Sequence, residues 1–370
     1  MPLYINQMQD VLIPYIDANV PVQVASSPGA GKSESIDQII TYLSERDGFE
    51  WGCSKVFIAG LSPVDMYGFM TPGVRRYHDW EGKEHEAKVS EFAMPPYMIS
   101  IDGRPMNSFK RGITVFEEWD KGDPDTKKAS AEPILKGGFG QNRMHAGISR
   151  IVLVNRAEDR SGTTKNFDFI INRRSELEFH ATMLGWQEWA QLAGIHPIFT
   201  SFADRWAQLV FTNEVPEKQG PFATPRSLVL LEKVMKQRVV NGNIVVDDIT
   251  AHNANGLLGT TVGAQLISWL RVKTETPDWD DIVANPEGIE VPERADACLM
   301  SVYECAHRVD MKTIRPAIRY MRRLPKEFAM SFAQASIKRL PKLVADKSMM
   351  DWSKENRSLL NVLGGARQAA

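Results

Sequence analysis

The chain has 370 residues, enough for two or three domains with a substantial core. Hydrophobic residues make up 43% and charged residues 24% of the sequence, as in ordinary globular proteins, and the net charge of −2 attracts neither nucleic acid nor an anionic membrane. No apolar run approaches the length of a membrane span, and the N-terminus lacks a basic-then-apolar signal. We therefore expect a cytoplasmic protein with no membrane partner.

The first predicted elements are a short helix within residues 1–20, a strand from Val20 to Ala25, a glycine-rich turn and a helix from Glu34 to Leu43. Small residues in the turn let successive backbone N–H groups point inward, and the helix N-terminus adds the positive end of its dipole. This layout predicts a loop that binds the phosphates of ATP. The predicted nucleotide-binding residues of the loop are Ser27, Pro28, Gly29, Ala30, Gly31, Lys32, Ser33 and Glu34.

Two side chains of the loop have specific predicted roles. Lys32 would reach the β- and γ-phosphates, and the Ser33 hydroxyl would ligate Mg²⁺. Gly31-Lys32-Ser33 completes the motif G-x-x-x-x-G-K-[ST], but Ser26 stands where that motif begins with glycine. The simpler alternative is a glycine-rich turn that binds no nucleotide.

A second strand is predicted at Lys55 to Ala59, followed by a stretch that proline and glycine punctuate. Two runs in that stretch, residues 74–80 and 84–91, flank Glu81-Gly82-Lys83 and predict a hairpin.

The apolar run at residues 112–116 reaches two carboxylates, Glu117 and Glu118. A buried central strand of a parallel sheet has this composition, and ligands bind at the carboxyl ends of such strands. We assign Glu117 to Mg²⁺ and Glu118 to the attacking water, which it would orient and polarise. Glu117 stands where aspartate is usual, so its extra methylene is expected to shift the metal or slow turnover. Alternatively, both carboxylates simply begin a solvated loop.

The rest of the chain completes an α/β pattern and then becomes helical. Asp125 to Leu135 predicts a helix, residues 137–147 a second looped insertion, and Arg150 to Asn155 another buried strand. Alternating strands and helices predict a doubly wound parallel sheet. From Trp186 onward the pattern is almost wholly helical. The three cysteines, Cys53, Cys298 and Cys305, lack metal-ligand spacing, and the last two are expected to be core residues.

Several segments together resemble the MoxR-type AAA+ ATPases, especially their small bacterial and phage-borne members. The resemblance covers most of the chain. It implies a P-loop AAA+ parallel sheet sandwiched by helices in residues 1–213, with hairpin insertions near 74–91 and 137–147. A helical lid at 214–275 and a helical extension at 276–370 would follow. The matching segments are 27–33, 115–121, 154–162, Asn172-Arg173, 185–190, 194–197, 224–227 and 323–328.

The resemblance assigns roles to further residues. Asn155 would be sensor 1, a neutral hydrogen-bond donor to the γ-phosphate or the water, although asparagine also turns loops readily. Arg173 would be the arginine finger that reaches a neighbouring subunit's γ-phosphate, with the adjacent Arg174 as the alternative. Both arginines could instead form surface ion pairs. Arg226 would be sensor 2, which contacts phosphate from the lid.

Aromatic residues in the two insertions are candidate contacts for a gripped partner, because the family's hairpins face the central pore. These residues are Tyr77, Trp80 and Phe139, and the alternative is that they pack their own hairpins. Trp186 and Trp189, three residues apart on a helix, are expected to be core residues.

Three functions fit the sequence. The favoured one is an ATPase that works as a hexameric ring or open spiral on a protein client, for which the resemblance suggests a von Willebrand factor A-type partner. The second is a nucleic-acid motor or loader, suggested by a basic segment at residues 308–342. The third is an assembly protein that hydrolyses ATP slowly because of Ser26 and Glu117.

Overall fold

The structure, a computed structural model, describes residues 2–159, 173–240, 243–272 and 276–356. It divides into two compact units: Met1–Thr182 with Asn213–Val215, and Met183–Thr212 with Pro216–Ala370. The domain boundaries suggested by the resemblance stay predictions. Among the described residues, no helix combines the length and the apolar composition that a membrane crossing needs.

The first unit is an α/β structure. Its described strands, numbered along the chain, are β1 (Leu3–Tyr4), β2 (Val22–Ser26), β3 (Gly52–Phe57), β4 (Met70–His78), β5 (Glu84–Phe92), β6 (Gly112–Glu117), β7 (Gly138–Phe139), β8 (Asn142–Arg143), β9 (Ile148–Asn155) and β10 (Ser175–His180). Its described helices are α1 (Met8–Asp17), α2 (Lys32–Asp47), α3 (Pro63–Tyr67) and α4 (Pro124–Lys136).

Six of these strands form one parallel sheet in the order β1-β10-β2-β9-β6-β3. Both faces are covered, which explains the near-continuous apolar runs of the central strands. Ile113 and Val115 of β6 belong to a buried cluster with α1 and α2, whereas Phe116 joins a cluster on the other face with α4. The predicted α/β fold class, with a helical region after the sheet, is confirmed.

Strand β10 was not predicted from the sequence. Its apolar residues, Leu177 and Phe179, alternate with Glu176 and Glu178, a pattern typical of a half-buried strand. The strand pairs with β1 on one side and β2 on the other. The alternation was therefore an available signal for this strand, although it includes only two apolar residues.

The two insertions are antiparallel hairpins. The long hairpin pairs β4 with β5 over nine residues each, from Met70↔Phe92 to His78↔Glu84. The short one pairs β7 with β8.

The regular structure of the second unit, in its described residues, is helical apart from a two-stranded ladder of Val239–Val240 with Asn243–Ile244. Its buried residues form two clusters, one running from Trp186 to Met300 and the other from Trp279 to Trp352. Trp186 is buried and Trp189 packs against the same cluster, so the predicted core role of both is confirmed. The described helices are Met183–Leu192, Pro197–Arg205, Ala207–Val210, Pro225–Lys236, Asp248–Leu258, Thr260–Val272, Trp279–Ala284, Ala295–Arg308, Ile314–Met321, Lys326–Arg339 and Lys347–Glu355.

Candidate nucleotide-binding site

The carboxyl ends of three neighbouring strands bring the predicted site residues to one edge of the sheet. In the register of β2 with β9, Ser26 is opposite Asn155. On the other side of β9 lies β6, which ends at Glu117. The loop after β2, the sensor candidate and the acidic pair therefore meet at the edge where parallel sheets bind ligands.

The loop between β2 and α2 has the backbone shape of a phosphate cradle. Gly29 and Gly31 adopt positive φ angles of 73° and 109°, which other residues rarely tolerate. Helix α2 begins at Lys32, so Ser33 and the exposed Glu34 lie in its first turn. The remaining loop residues are Ser27, Gly29 and Ala30, which are buried, and Pro28, which is half-buried.

The Lys32 ammonium lies in a network of oxygen acceptors. Its Nζ donates to the carbonyl oxygen of Ser26 and to the Ser26 hydroxyl, both at 2.9 Å. A further bond of 3.3 Å reaches Oδ1 of Asn155, the sensor candidate. A glycine at position 26, as in the usual motif, would lack the hydroxyl. Ser26 thus adds an acceptor that holds the lysine back against the loop.

The two glutamates have different surroundings. Glu117 is 6% exposed, and its Oε1 is a buried atom without a hydrogen-bond partner. Glu118 has a φ of 50°, is partly exposed, and its Oε2 lies 3.1 Å from Nζ of Lys121. The orphaned oxygen of Glu117 is an available ligand for Mg²⁺, which prefers one or two carboxylates together with substrate phosphates. Glu118, turned out by its left-handed backbone, is accessible to water.

Asp120 is a site residue that the sequence analysis did not identify. It is 4% exposed and accepts two hydrogen bonds from Asn155. The backbone N–H of Asn155 lies 3.2 Å from Oδ1 of Asp120, and Nδ2 of Asn155 lies 3.4 Å from Oδ2. These bonds orient the Asn155 amide so that its oxygen faces Lys32. An acidic residue three positions after Glu117 was the available signal.

The chain after Asn155 is fixed by a buried ion pair. Arg156 Nη2 lies 2.7 Å from Asp159 Oδ1, and Arg156 also donates to the carbonyl oxygen of Asn213. Asn213 in turn accepts from the Ser27 hydroxyl at 3.2 Å. Residues 160–162, the end of the matching segment 154–162, lie outside the described residues, and so does Asn172.

The adjacent arginines 173 and 174 have opposite environments. Arg173 is exposed at the turn before β10. The Arg174 side chain is 0% exposed and donates to Gln23 of β2, so it is too deeply enclosed to reach another subunit. Of the two finger candidates, only Arg173 is available at the surface.

Arg226 is exposed in the first turn of the helix Pro225–Lys236 in the second unit. Its neighbours explain the local sequence: the Thr224 hydroxyl accepts from the Ser227 N–H at 3.0 Å, a helix N-cap. The role of Arg226 as sensor 2 stays a prediction.

The three aromatic candidates of the hairpins differ. Phe139 packs against Tyr67 and Phe92, with ring centroids 4.3 and 5.5 Å away. Tyr77 is half exposed and stacks on His85 of the opposite strand, whereas Trp80 at the tip is 92% exposed. Trp80 is thus the aromatic side chain most open to a partner.

Several cations of the basic segment are engaged within the second unit. Arg322 pairs with Glu355 at 2.8 Å and Lys338 with Glu188 at 2.6 Å. Arg339 donates to the carbonyl oxygen of Ala306 at 2.9 Å. Pairing of this kind reduces the positive field that nucleic acid would need.

No protein-family model and no curated protein matches the sequence. Among solved structures, a candidate ATPase from Cytophaga hutchinsonii is similar at 11% identity, with 90% of this chain and 81% of that chain covered and a TM-score of 0.33. RuvB from Thermotoga maritima, as a P216G mutant, gives 12% identity, 76% coverage of both chains and a TM-score of 0.36. A Drosophila ORC structure bound to DNA gives 10% identity, coverages of 87% and 78%, and a TM-score of 0.31. Similarity this low assigns no function, and the fold class rests on the strand order and loop described above.

Proposed function

We propose that this protein is a AAA+ ATPase that hydrolyses MgATP at subunit interfaces and uses the energy to remodel a protein client, in the manner of MoxR-type ATPases. The observation that carries the proposal is the meeting of Lys32, Glu117, Glu118 and Asn155 at one edge of a parallel sheet, beside a loop shaped for phosphate. These residue types supply a cation for the phosphates, a metal ligand, a base for the attacking water and a polar group that senses the γ-phosphate.

The described residues fit ATP and Mg²⁺. Backbone N–H groups of the loop and the start of α2 offer donors to the phosphates. The Ser33 hydroxyl and the orphaned Oε1 of Glu117 would hold Mg²⁺, which would neutralise charge on the phosphates. No cluster of three or more His, Cys, Asp or Glu that could hold a metal by itself occurs among the described residues. The nucleotide would therefore supply further oxygen ligands.

The chain's own residues would act in a defined order. Lys32 would leave its acceptors at Ser26 and Asn155 for the phosphates, which releases the Asn155 amide toward the reacting group. Glu118 would orient and polarise the attacking water. Arg173 of a neighbouring subunit would stabilise charge that develops on the γ-phosphate. The active form is therefore an oligomer, a six-membered ring or an open spiral.

Mixing two inactive variants tests the shared site. Lys32→Ala should lose ATP binding because the phosphates lose the loop's only lysine, and Arg173→Ala should bind ATP without hydrolysing it. A mixed assembly pairs an intact loop from one chain with an intact Arg173 from the other, so turnover should partly recover. Subunit exchange confirmed by labelling, without recovered turnover at any ratio, would refute a shared site.

The client can be identified with a variant that binds ATP but does not hydrolyse it. Glu118→Gln should hold ATP and, with it, the client-bound assembly. Pull-down from the native host, compared with Lys32→Ala under the same conditions, should enrich a protein only in the trap. A von Willebrand factor A-type protein among the enriched partners would support the MoxR-like assignment.

If the protein were a nucleic-acid motor, its ATP hydrolysis would respond to DNA. Single- or double-stranded DNA would stimulate ATP hydrolysis, and binding would weaken steeply as salt increases. We expect no such stimulation, since Arg322, Lys338 and Arg339 of the basic segment are engaged by partners within the protein. A strong effect would overturn the protein-client proposal while leaving the ATPase site intact.

A further inference from the structure

Arg174 is a buried cation that stacks on an aromatic ring and contacts two polar side chains. Its guanidinium carbon lies 4.4 Å from the ring centroid of Trp119, and it donates to the Gln23 side chain. Glu176 lies 3.3 Å from its Nη2. Nε and Nη1 are buried without hydrogen-bond partners, so the hydrogen bonds of the guanidinium are incomplete and the contact of its flat face with the ring helps to fix its position.

Trp119 gives this contact a fixed support. The indole is 0% exposed, follows Glu118 directly, and donates from Nε1 to the Ser130 hydroxyl of α4 at 2.8 Å. A second cation, Lys127 of α4, lies 4.7 Å from the same ring centroid. Burial lowers the pKa of both Lys127 and Arg174 from their ordinary values. Asp120 and Glu176 offset part of this cost but do not outweigh burial, so two cations on one ring remain an expensive arrangement, which favours a specific role for the ring contact.

The contact joins two parts of the site that are distant in sequence. Trp119 belongs to the turn that carries Glu118, whereas Arg174 directly follows the exposed Arg173 and directly precedes β10. The backbone of Arg173 is therefore linked to the acidic turn of its own subunit through the side chain of Arg174.

We propose that Arg174 is a positioning residue, which anchors Arg173 on the Trp119 ring so that Arg173 presents its guanidinium to the neighbouring subunit's nucleotide. The inference rests on the proposed shared site. It assigns the two adjacent arginines complementary functions: one contacts the neighbour's phosphate and the other sets where it stands. Errors of about 1 Å in the position of a catalytic group cost about a hundredfold in rate, so a local anchor has a large effect.

The test uses the mixed assembly of Arg173→Ala, which supplies the loop, with Lys32→Ala, which supplies the arginine. Arg174→Lys is added to one chain at a time. On the arginine-supplying chain, we expect recovered turnover to fall at least about tenfold, since lysine retains charge but loses the flat face. On the loop-supplying chain, we expect a loss below about threefold, because that chain's Arg173 is already removed.

Two further variants separate anchoring from general damage. Lys127→Met on the arginine-supplying chain removes the other cation over Trp119 without touching residues 173–174, and turnover should remain near that of the parent mixture. Trp119→Phe on the same chain keeps a smaller aromatic face and should give an intermediate loss of turnover. This variant tests the ring contact even if Arg174→Lys folds poorly. Thermal unfolding and ATP affinity of each chain are measured alongside.

The outcomes distinguish this inference from the proposed function. Equal losses with Arg174→Lys on either chain, or no loss on the arginine-supplying chain, would overturn the anchor and leave the shared site standing. An equal loss with Lys127→Met would overturn it too. No recovery in the parent mixture would refute the shared site, and the anchor with it.

Discussion

The edge of the parallel sheet and the long hairpin β4–β5 are built on opposite principles. At the sheet edge, Asn155 meets Lys32 and Asp120, which are far apart in the sequence, and Asp120 is buried. In the hairpin, partners are close in the sequence and mostly exposed, as in the pair of Arg76 with Glu86 at 2.8 Å. Exposed pairs contribute little, whereas a buried polar group that loses its partner is costly.

The difference predicts where single changes matter. A substitution at the sheet edge should alter chemistry or nucleotide affinity because Lys32, Asp120 and Asn155 contact one another through specific hydrogen bonds and the buried Glu117 keeps an oxygen available. A substitution at the hairpin tip should leave folding and turnover unchanged and affect only what the hairpin contacts. The following variants test this contrast from its largest expected effect to its smallest.

Glu118→Gln is expected to have the largest effect. Turnover should fall by at least about a hundredfold, since the amide no longer polarises water, while ATP affinity should remain within about twofold. Steady-state ATP hydrolysis and nucleotide titration measure the two quantities. The matched control is Lys121→Gln, which removes the exposed ion-pair partner but retains the carboxylate, and it should keep most of the activity. Normal hydrolysis by Glu118→Gln would place the catalytic carboxylate elsewhere.

Asp120→Asn tests the residue that the sequence did not reveal. One of the two oxygens that accept from Asn155 is replaced by a donor, so the sensor amide should lose its orientation and turnover should fall about tenfold. ATP affinity should change little, because the loop is intact. Asp125→Asn, an exposed acid in the first turn of α4, is the matched control and should hydrolyse ATP normally. Equal turnover in Asp120→Asn and the control would contradict a role for Asp120.

Local patterns predicted most of the sheet and the loop. The motif at residues 31–33 and the apolar run ending at Glu117 depend on short-range rules of backbone and burial, so they were readable. Strand β10 carries such a signal too, since acidic residues alternate with Leu177 and Phe179, but with only two apolar residues the pattern is weak, and the pairing with β1 and β2 makes the strand evident.

The unpredicted parts of the site are those made by tertiary contact. Nothing in the sequence shows that Asp120 faces Asn155, because they lie on different segments brought together by strand register. Arg173 and Arg174 are identical residue types, and the contacts of Arg174 with the Trp119 ring, Gln23 and Glu176 distinguish the buried one from the exposed one. Environments of this kind follow from the fold, not from residue type.

Ser26→Gly is expected to have a smaller effect at the sheet edge, and one of opposite sign, because it should improve ATP binding. Removing the hydroxyl takes one acceptor from the Lys32 ammonium, while the Ser26 carbonyl and the Asn155 amide remain. One hydrogen bond contributes about 1 kcal/mol, so ATP should bind roughly fivefold more tightly. Ser26→Ala, which retains Cβ, should give the same gain if the hydroxyl is the cause. Unchanged or weaker binding in both variants, measured by nucleotide titration, would show that Ser26 does not restrain the lysine.

Trp80→Ala should have the smallest effect on the isolated protein. The side chain is 92% exposed at the hairpin tip, and substitutions at such positions usually change stability by less than about 0.5 kcal/mol. Thermal unfolding and basal turnover should therefore match the wild type, whereas enrichment of the client in the Glu118→Gln trap should decline. Phe139→Ala is the comparison, because its ring packs on Tyr67 and Phe92 and its loss should cost about 2 kcal/mol. A drop in stability from Trp80→Ala as large as that from Phe139→Ala would show that the tip contributes to the fold, and the contrast between the two regions would fail.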